Sequence, residues 1–498
     1  MQFYAYNRIR TRQLISSGDL DKNRPNVLTT SGGAPVCYAD ATSALNTNLI
    51  NNEHFLGMMS NLVRERTPER AVHGQGTGAF GFFVVTHDIS HICKADFLKK
   101  VGQKTPIAIR FATSGGNKGS ADLVLDNRGY SLKFYTREGN FDVAGFNVPV
   151  SPFKDPLGGH IITRTARLNP ATNAPDANMA WDRATLVPES LHQLMYTYSG
   201  RGIPASYRNM PGYPVHTYQV ENENGDQYFI RFHFLPDAGI KYMKAEEARK
   251  IRADDHHYLT KDLYRAIGKG DFPSWTCKVQ ILTEADVENE GAHNVFDITK
   301  IIPEDRYPLY EVGKLVLNRN AKNFHAEIEQ LAFCPCNVVP GIYGAPDKVY
   351  EARRLIYRDA QVYRLGGNVF NIPVNCPFQT KAYTYNRDGV PPVSGGDGPN
   401  YYPNSFNGPE PYKCEHSKGL IKIVEKSGAN NFDQARDLYA NKLTEEERTT
   451  LIQNIVSKLK SVTPSIKKRA LKLFTTIHQD LGARLKQEMN IRVCSKKA

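Results

Sequence analysis

A single histidine, His73, stands between charged residues and a run of small ones in the segment Arg66-Thr67-Pro68-Glu69-Arg70-Ala71-Val72-His73-Gly74-Gln75-Gly76. Imidazole is the side chain that most readily exchanges protons near neutral pH. Because the residues that flank it lack bulky side chains, a flat ligand has room to approach the ring. A lone histidine is nevertheless more often structural than catalytic, and the segment taken alone favours the structural interpretation.

An arginine and a tyrosine, Arg353 and Tyr357, follow Pro346-Asp347, where a helix is predicted to begin. Residues four apart lie on one face of a helix. An arginine beside a tyrosine hydroxyl favours the anionic phenolate, and tyrosinate is one of the proximal ligands that hold haem iron. Taken as an isolated pair, these two residues are more simply explained as a surface contact.

Two further motifs have weaker implications. Gly76-Thr77-Gly78-Ala79-Phe80-Gly81 matches GxGxxG, but a dinucleotide site needs a strand before it and a helix after it. Strand-forming residues follow here, so we predict no dinucleotide site. Cys334-Pro335-Cys336 is a CxC motif, and no second pair lies at zinc-finger spacing. The eight cysteines are scattered, which predicts free, mostly buried thiols in a reducing compartment.

The composition is that of an ordinary globular protein. The 498 residues include 40% hydrophobic and 23% charged residues, which excludes a disordered, collagenous or coiled-coil chain. No stretch approaches 18 apolar residues, so we predict no membrane span. The net charge of +12 is spread along the chain. Its densest cluster, Lys467-Lys468-Arg469, is interpreted as a solvated helix face, and no nucleic-acid partner is expected.

The two ends of the sequence bear on its compartment. The first residues contain Arg8, Arg10 and Arg12 and no acid before Asp19, which faintly resembles a mitochondrial presequence but lacks the apolar core of a secretory signal. The last four residues, Ser-Lys-Lys-Ala, are not the S-K-L peroxisomal address. We therefore expect an intracellular protein of the peroxisome or the cytoplasm.

Short apolar runs separated by Gly-, Asp- and Asn-rich turns predict antiparallel strands. They cover residues 79–86, 107–111, 130–135, 141–150, 216–220, 228–234 and 274–282. Helices are expected at 245–252 and 261–267, so the pattern fits an antiparallel barrel or sandwich with helical insertions. The residues before about 60 lack periodicity and predict an extended arm.

The second half of the chain has a different pattern. Residues 300–420 are rich in Pro and Asn and weakly periodic, which predicts a segment that wraps over another domain. Thr444 and Glu447 form a capping box. An apolar helix face follows at residues 451–459, Pro464 interrupts it, and a further apolar face runs to Leu481. The C-terminus is therefore predicted to be a small helical unit.

Taken together, these segments closely resemble the monofunctional haem catalases, from about residue 25 to residue 485. The matching segments are residues 64–73, 80–81, 85–89, 109–111, 119–122, 133–136, 188–193, 201–204, 313–320, 372–377 and 399–406. The resemblance implies the α+β catalase fold and the homotetramer usual in the family. Its parts would be an N-terminal arm (1–60), an eight-stranded antiparallel β-barrel with the distal haem pocket (61–300), a wrapping segment with the proximal ligand (301–425) and a C-terminal helical domain (426–498).

The resemblance assigns roles residue by residue. Tyr357 matches the axial ligand of the haem iron, Arg353 matches its charge partner, and His216 and Asp347 match the pair that hydrogen-bonds this arginine. Three arginines match those that hold the haem propionates, for which the fixed fork of a guanidinium is suited. These three are Arg70, Arg110 and Arg364. Phe333 and Val72 match positions that pack on the haem. The resemblance therefore implies a haem b cofactor.

On the distal side, His73 matches the general base that moves a peroxide proton from one oxygen to the other, so that water leaves. Its family partner is an asparagine that hydrogen-bonds the peroxide, and Phe146 occupies that position. The adjacent Asn147 is expected to point to the opposite face of its strand. Ala112 stands where the family has a serine that bonds the histidine.

Other positions around the distal pocket also depart from the family. Ser151, Pro152 and Gly159 replace aromatic residues, and Ser114 replaces the valine that narrows the main channel, although Asp126 keeps the channel carboxylate. His192 and Arg201 remain from the NADPH site, whereas other partners have changed. The changed positions are Pro211, Leu235, Ile302 and Glu304. We therefore expect no tight NADPH binding.

Three functions remain open at this stage. The first is a catalase that dismutates hydrogen peroxide to water and oxygen with reduced turnover, and it is favoured because His73 alone can still move the proton. The second is a catalytically lapsed haem-binding protein. The third is a haem enzyme acting on organic hydroperoxides, such as those of fatty acids, if the loss of aromatics has opened the pocket.

Overall fold

The computed structural model describes residues 27–45, 48–390, 398–412, 420 and 430–489. The terminal residues that bear on the compartment, 8–19 and 495–498, lie outside the described residues, as do Cys414 and Cys494. Part of the predicted arm lies outside them too. The chain divides into two compact units: residues up to Glu69 together with Lys322–Phe324, and the remainder.

The first unit is partly helical, although its sequence predicted an extended arm. It contains α1 (Tyr38–Thr42), a short 3₁₀ turn (Leu49–Asn51) and α2 (Glu53–Arg64). Helix α2 starts where the side chain of Asn52 accepts a hydrogen bond of 2.9 Å from the backbone N–H of Phe55. Asparagine is a preferred residue at this position because its side chain satisfies an N–H group that the helix leaves unpaired. The capping asparagine therefore marks the start of α2, although the pattern of apolar residues does not reveal this helix.

The second unit is built on one antiparallel sheet of nine strands. The strands are β1 (Gly76–Val85), β2 (Lys104–Thr113), β3 (Arg128–Thr136), β4 (Gly139–Phe146), β5 (Tyr218–Glu221), β6 (Gln227–Pro236), β7 (Ser274–Thr283), β8 (Tyr310–Asn320) and β9 (Ile342–Gly344). Their order is β4-β3-β2-β1-β8-β7-β6-β5-β9. The sheet curls, and the segment Gly212–Tyr213 bridges Phe146 of β4 to Phe234 of β6.

These strands confirm the predicted α+β fold and add a short ninth strand. Alternate residues of the strands face a core of large aromatic side chains, in which Trp275, Tyr130 and Phe111 are almost fully buried. The GxGxxG segment lies in β1, so the prediction that it is no dinucleotide loop is confirmed. Strand β8 lies inside the stretch that the sequence predicted to be weakly periodic.

Helices occupy the connections of this unit and its C-terminal part. They are α3 (Pro156–Thr165), α4 (Ala177–Leu186), α5 (Leu191–Tyr196), α6 (Ala245–Asp254), α7 (Tyr258–Gly268), α8 (Glu284–Glu290), α9 (Ala292–Val295), α10 (Lys348–Leu365), α11 (Asp433–Asp437), α12 (Glu445–Leu459), α13 (Pro464–Ile477) and α14 (Gln479–Glu488). The capping box of Thr444 and Glu447 is confirmed at the start of α12, and Pro464 is the first residue of α13. Throughout the described ranges, each helix is too short or too polar to cross a bilayer.

Candidate functional site

The first group of the site lies on helix α10. Asp347 precedes this helix, and its carboxylate accepts a hydrogen bond of 2.9 Å from the backbone N–H of Tyr350, as a helix cap does. Arg353 and Tyr357 follow on one face, and the guanidinium of Arg353 donates to the Tyr357 hydroxyl at 3.1 Å. The predicted pair of arginine and tyrosine is therefore in direct contact, because the helix period brings residues four apart together.

A buried relay connects this pair to the sheet. The guanidinium of Arg353 donates to Nε2 of His216 at 2.7 Å, and Nδ1 of His216 contacts the carboxylate of Asp347 at 2.7 Å. An arginine side chain can only donate hydrogen bonds, so Nε2 of His216 is the acceptor. Nδ1 therefore carries the hydrogen and donates a hydrogen bond to Asp347. Burial lowers the pKa of His216 and keeps this neutral form. Burial alone would raise the pKa of Asp347, but the hydrogen bonds from His216 and from the backbone N–H of Tyr350, together with the charge of Arg353, keep it below its usual range.

The second group of the site is a cluster of two buried arginines and one nearly buried arginine around one buried carboxylate, that of Glu329. The guanidinium groups of Arg70 and Arg364 lie 3.5 and 3.7 Å from Glu329. Burial and mutual repulsion lower the pKa of Arg70, and burial lowers that of Arg110 to about 10. Three predicted residues that are far apart in sequence therefore meet at one place.

This arginine cluster fits a ligand with two carboxylates. Three guanidinium groups share one buried carboxylate, and the half-exposed Lys118 adds a further positive charge 3.8 Å from Glu329. The Nε–H groups of Arg110 and Arg364 are buried and have no hydrogen-bond partner. Buried donors without partners are costly, and carboxylates are the acceptors that guanidinium prefers. The two propionates of a haem would supply both the missing charge and the missing acceptors.

The third group of the site is His73, which lies between two neighbouring strands. Its φ angle is 62°, a left-handed conformation that is uncommon outside glycine. Its Nδ1 donates to the carbonyl of Thr113 at 3.0 Å, and its backbone N–H donates to the carbonyl of Ser114 at 3.2 Å. The bond from Nδ1 fixes the tautomer, so Nε2 is the nitrogen that can accept a proton.

The electrostatic surroundings keep His73 neutral. Burial lowers its pKa to about 4, and the charges of Arg110, Arg353 and Arg70 add to the effect. Arg353 belongs to the relay on α10, and the other two belong to the arginine cluster. The charges of both groups therefore lower the pKa of His73. A neutral imidazole with a fixed tautomer has the form that a general base needs.

This pKa predicts how the activity depends on pH. Because the pKa of His73 is lowered, its neutral form persists from alkaline pH down to about pH 4. We expect the rate of peroxide breakdown to be flat between pH 8 and about pH 5 and to fall at lower pH with a midpoint near 4. Initial rates measured in overlapping buffers, with haem content checked at each pH, test this. A midpoint near the ordinary histidine value of about 6.5 would contradict it.

A row of four residues crosses the sheet beside His73. Gly76, Ala112, Gly129 and Phe146 are register partners on β1, β2, β3 and β4. Partners in such a row point to the same face of a sheet. A Cβ atom on Gly129 would lie 2.9 Å from the imidazole of His73, so the ring packs directly on this glycine. Phe146, the neighbour of Gly129 in the row, therefore faces the same side of the sheet as His73.

Asn147 does not share this face. Its side-chain oxygen accepts from the backbone N–H of Arg128 at 2.9 Å, and its amide donates to the carbonyl of Arg201 at 2.6 Å. The side chain is buried and links two backbone segments. This agrees with the expectation that Asn147 points away from the pocket, because neighbouring residues of a strand alternate between faces.

The remaining predicted positions are more peripheral. Phe333 is buried in an apolar cluster, with the ammonium of Lys133 over its ring at 5.7 Å. Val72 is 38% exposed. The carboxylate of Asp126 accepts from the backbone N–H of Gly115 at 2.8 Å, and burial raises its pKa.

Three functional features were not predicted from the sequence. Glu329 is the shared carboxylate of the arginine cluster. It belongs to no motif, and Glu327 two residues earlier has the same side chain, so the sequence gives no signal that singles it out. The backbone carbonyl of Thr113 orients His73 in place of a serine side chain. Every residue has a backbone carbonyl, so the sequence does not show which one will accept this hydrogen bond. Gly129 provides the close surface beneath the imidazole.

Comparison with known proteins agrees with this geometry. A family model described as catalase matches residues 29–408, and one described as catalase-related immune-responsive matches residues 425–489. The chain is 43% identical to a catalase of Methanosarcina barkeri over 95% of this chain and 96% of that one. It is 42% identical to a catalase of Sus scrofa over 93% of this chain and 89% of the relative.

Solved structures give the same result. A fungal catalase superposes with a TM-score of 0.88 at 38% identity and covers 95% of this chain and 98% of its own. Catalase A from Saccharomyces cerevisiae superposes with a TM-score of 0.87 at 37% identity and covers 94% of this chain and 99% of its own. The curled antiparallel sheet with its helical part and partly buried arginine–tyrosine pair is thus the architecture of a haem-dependent oxidoreductase. The chain belongs to the catalase family.

Proposed function

We propose that this protein is a haem b enzyme that dismutates hydrogen peroxide to water and oxygen, with lower turnover than a catalase that keeps the distal asparagine. Membership of the catalase family supports the reaction. The observation that carries the proposal is the geometry of His73, whose Nδ1 is bonded to the Thr113 carbonyl so that Nε2 is available as a base, together with the contact between Arg353 and Tyr357.

The cofactor would be held from two directions. Tyr357 would bind the haem iron through its phenolic oxygen, and Arg353, oriented by His216 and Asp347, would stabilise the phenolate. The two propionates would lie among the three arginines of the cluster, where two buried N–H groups await acceptors. Phe333 and Val72 would pack against the ring. Bound iron would supply the redox chemistry of the reaction.

The protein's own part in the reaction is proton transfer. Nε2 of His73 would take the proton from one peroxide oxygen and return it to the other, so that water can leave. Nδ1 stays bonded to the Thr113 carbonyl throughout, so the ring keeps its orientation although Ala112 offers no hydroxyl. Phe146 has no donor for the peroxide, which is why we propose reduced turnover.

Hydrogen peroxide is favoured over larger hydroperoxides by the packing near Gly159. A Cβ atom on Gly159 would lie 3.2 Å from the ring of Phe153, and one on Gly158 would lie 2.6 Å from the Cβ of the same residue. Phe153 therefore occupies space beside both glycines. Ser151 is buried, and its hydroxyl donates to the carbonyl of Phe153 at 2.7 Å, which holds this segment in place.

We propose further that NADPH binds weakly at most. Arg201, a residue retained from the family site, stacks on Tyr196 at 4.7 Å and hydrogen-bonds the side chain of Tyr213. Nδ1 of His192 donates to the carbonyl of Thr299 at 3.0 Å. Because Arg201 and Nδ1 of His192 already have protein partners, they would have to exchange them for a phosphate, whereas Nε2 of His192 is buried without a partner.

The assembly and the compartment are extensions of the family relationship. Catalases are typically tetramers, and we propose a homotetramer. The described cysteines are free thiols, which supports a reducing intracellular compartment such as the cytoplasm or the peroxisome.

The experiment that tests the proposed function uses the full chain, produced with a haem supply. A Soret spectrum reports haem binding, and an oxygen electrode reports dismutation of hydrogen peroxide. We expect one haem per chain and oxygen evolution above that of free haem. Haem without oxygen evolution would show a lapsed enzyme, and faster turnover of fatty-acid hydroperoxides than of hydrogen peroxide would show the third function.

The ligand assignment predicts that Tyr357→Phe loses most of its haem. The change removes one oxygen and leaves the ring, which Arg353 approaches at 5.1 Å, so the packing is retained. We expect the high-spin ferric spectrum to disappear, as measured by absorbance per chain. Tyr363→Phe is the matched control, because this tyrosine lies on the same helix and is 78% exposed. Unchanged spectrum and haem content in Tyr357→Phe would refute the assignment.

A further inference from the structure

The CxC motif forms a tight turn that brings two thiols together. The backbone N–H of Asn337 donates to the carbonyl of Cys334 at 2.9 Å, which closes a four-residue β-turn. Pro335 occupies the second position, where proline is favoured because its φ angle already fits. Cys334 and Cys336 are therefore the first and third residues of the turn, and the side chain of Cys336 lies near enough to influence the thiol of Cys334. A disulfide requires thiols that can approach without movement of the backbone, and a turn that reverses the chain within four residues keeps its first and third residues close together.

The turn is anchored by the sheet. The carboxylate of Asp142 accepts from the backbone N–H of Cys334 at 2.9 Å and from the side chain of Asn337 at 2.8 Å. Lys133 holds the same carboxylate at 2.7 Å, and both partners of this ion pair are buried. These bonds fix both ends of the turn, so its backbone cannot open without breaking a buried network.

The middle of the turn is fixed from helix α10. The hydroxyl of Tyr350 donates to the carbonyl of Pro335 at 2.8 Å, and the thiol of Cys336 donates to the carbonyl of Arg354 at 3.0 Å. Arg354 directly follows Arg353 of the relay. The motif therefore lies against the backbone of the helix that carries Tyr357.

The two thiols have unequal access to solvent. Cys336 is partly exposed, whereas Cys334 is buried, and burial raises its pKa to about 12. An oxidant from solvent therefore meets Cys336 first. A metal is a poorer explanation for the pair, since within the described ranges no three His, Cys, Asp or Glu side chains are grouped so that they could hold an ion.

We propose that hydrogen peroxide converts Cys334 and Cys336 into a disulfide within this turn. The thiol of Cys336 is first oxidised to sulfenic acid, and the peroxide is reduced to one water. The sulfur of Cys334 then attacks the sulfenic sulfur, the thiol proton of Cys334 passes to the sulfenic oxygen, the S–S bond forms as the S–O bond breaks, and a second water leaves. One peroxide is thus reduced to two waters while two thiols lose two hydrogens. The oxidised Cys336 no longer has a hydrogen to donate to the Arg354 carbonyl.

Peptide mapping of the holoenzyme tests this directly. Trypsin releases residues 323–348 as one peptide that contains both cysteines and no third. A glucose oxidase supply holds hydrogen peroxide at a constant measured concentration, so the result does not depend on the protein's own turnover. N-ethylmaleimide then blocks the remaining thiols. We expect the peptide to carry no N-ethylmaleimide, to be lighter by two hydrogens, and to regain both thiols with dithiothreitol. A peptide that still carries two N-ethylmaleimide groups, or one oxidised to sulfinic acid, would overturn the proposal.

Single substitutions test the order of the two steps. Cys334→Ser should trap Cys336 as a sulfenic acid that reacts with dimedone, because the resolving thiol is gone. Cys336→Ser should leave Cys334 reduced. Cys376→Ser is the matched control: this cysteine is also partly exposed and donates to the carbonyl of Pro373, and its loss should leave the disulfide unchanged. Dimedone labelling of Cys334 in the Cys336→Ser variant, or loss of the disulfide in the Cys376→Ser variant, would contradict the mechanism.

Discussion

Replacing His73 with alanine is expected to lower oxygen evolution per haem by about 10²–10⁴-fold, the range that a positioned general base contributes. The imidazole is neutral, its tautomer is fixed by the Thr113 carbonyl, and no other predicted distal side chain can accept the proton. The measurement is the initial rate on an oxygen electrode, normalised to haem content.

Two controls separate catalysis from folding. His73→Gln keeps a polar side chain of similar length but has no basic nitrogen, so it should lose as much activity as the alanine variant. His87→Ala removes an exposed histidine and should retain the parent rate. If His73→Ala evolves oxygen as fast as the parent, the base is elsewhere or the activity is non-specific haem chemistry.

Replacing Phe146 with asparagine is expected to raise turnover by about 10–10³-fold. One oriented donor in a pocket that excludes water is worth roughly 3 kcal/mol in the transition state. Phe146 lies beside Gly129 in the cross-strand row, and His73 packs on that glycine, so an amide at this position would face the same space. The measurement is again initial oxygen evolution per haem.

Neighbouring variants sharpen this test. Phe146→Leu reduces bulk without adding a donor and should give no comparable gain. Adding Ala112→Ser to Phe146→Asn should raise the rate further, because Ala112 lies next to Gly129 in the same row and a hydroxyl there would help to orient His73. Equal rates in the parent, the single and the double variant would show that Phe146 does not limit this protein.

Local features of the site could be predicted because they depend on short-range geometry. Arg353 and Tyr357 meet because a helix places residues four apart on one face, and the structure brings them to 3.1 Å. The GxGxxG segment is predicted to be no dinucleotide loop because strand-forming residues follow it, and it lies within β1. The capping box at Thr444 likewise uses only neighbouring residues. The exception is α2, a helix that the apolar periodicity did not predict. Its start is marked only by the capping side chain of Asn52.

Other features required the register of the sheet. The family resemblance indicated that Phe146 replaces a donor, but its direction follows from the pairing of β3 with β4 and from the contact between Gly129 and His73. A shift of one residue in that register would have turned Asn147 towards His73 instead. The sequence of one strand does not contain the register with its neighbour.

The sequence by itself determined the family, strands β1 to β7 with helices α6 and α7, and the residue types of the site, since these follow from motifs and from periodicity along the chain. The tertiary structure alone decided that Arg70, Arg110 and Arg364 share Glu329 and retain two unpaired N–H groups, and that His73 feels the charge of Arg353. These groups are up to about three hundred residues apart, and only the folded sheet brings them within reach. Their charge and burial, which set the pKa of His73, exist only once water has been excluded.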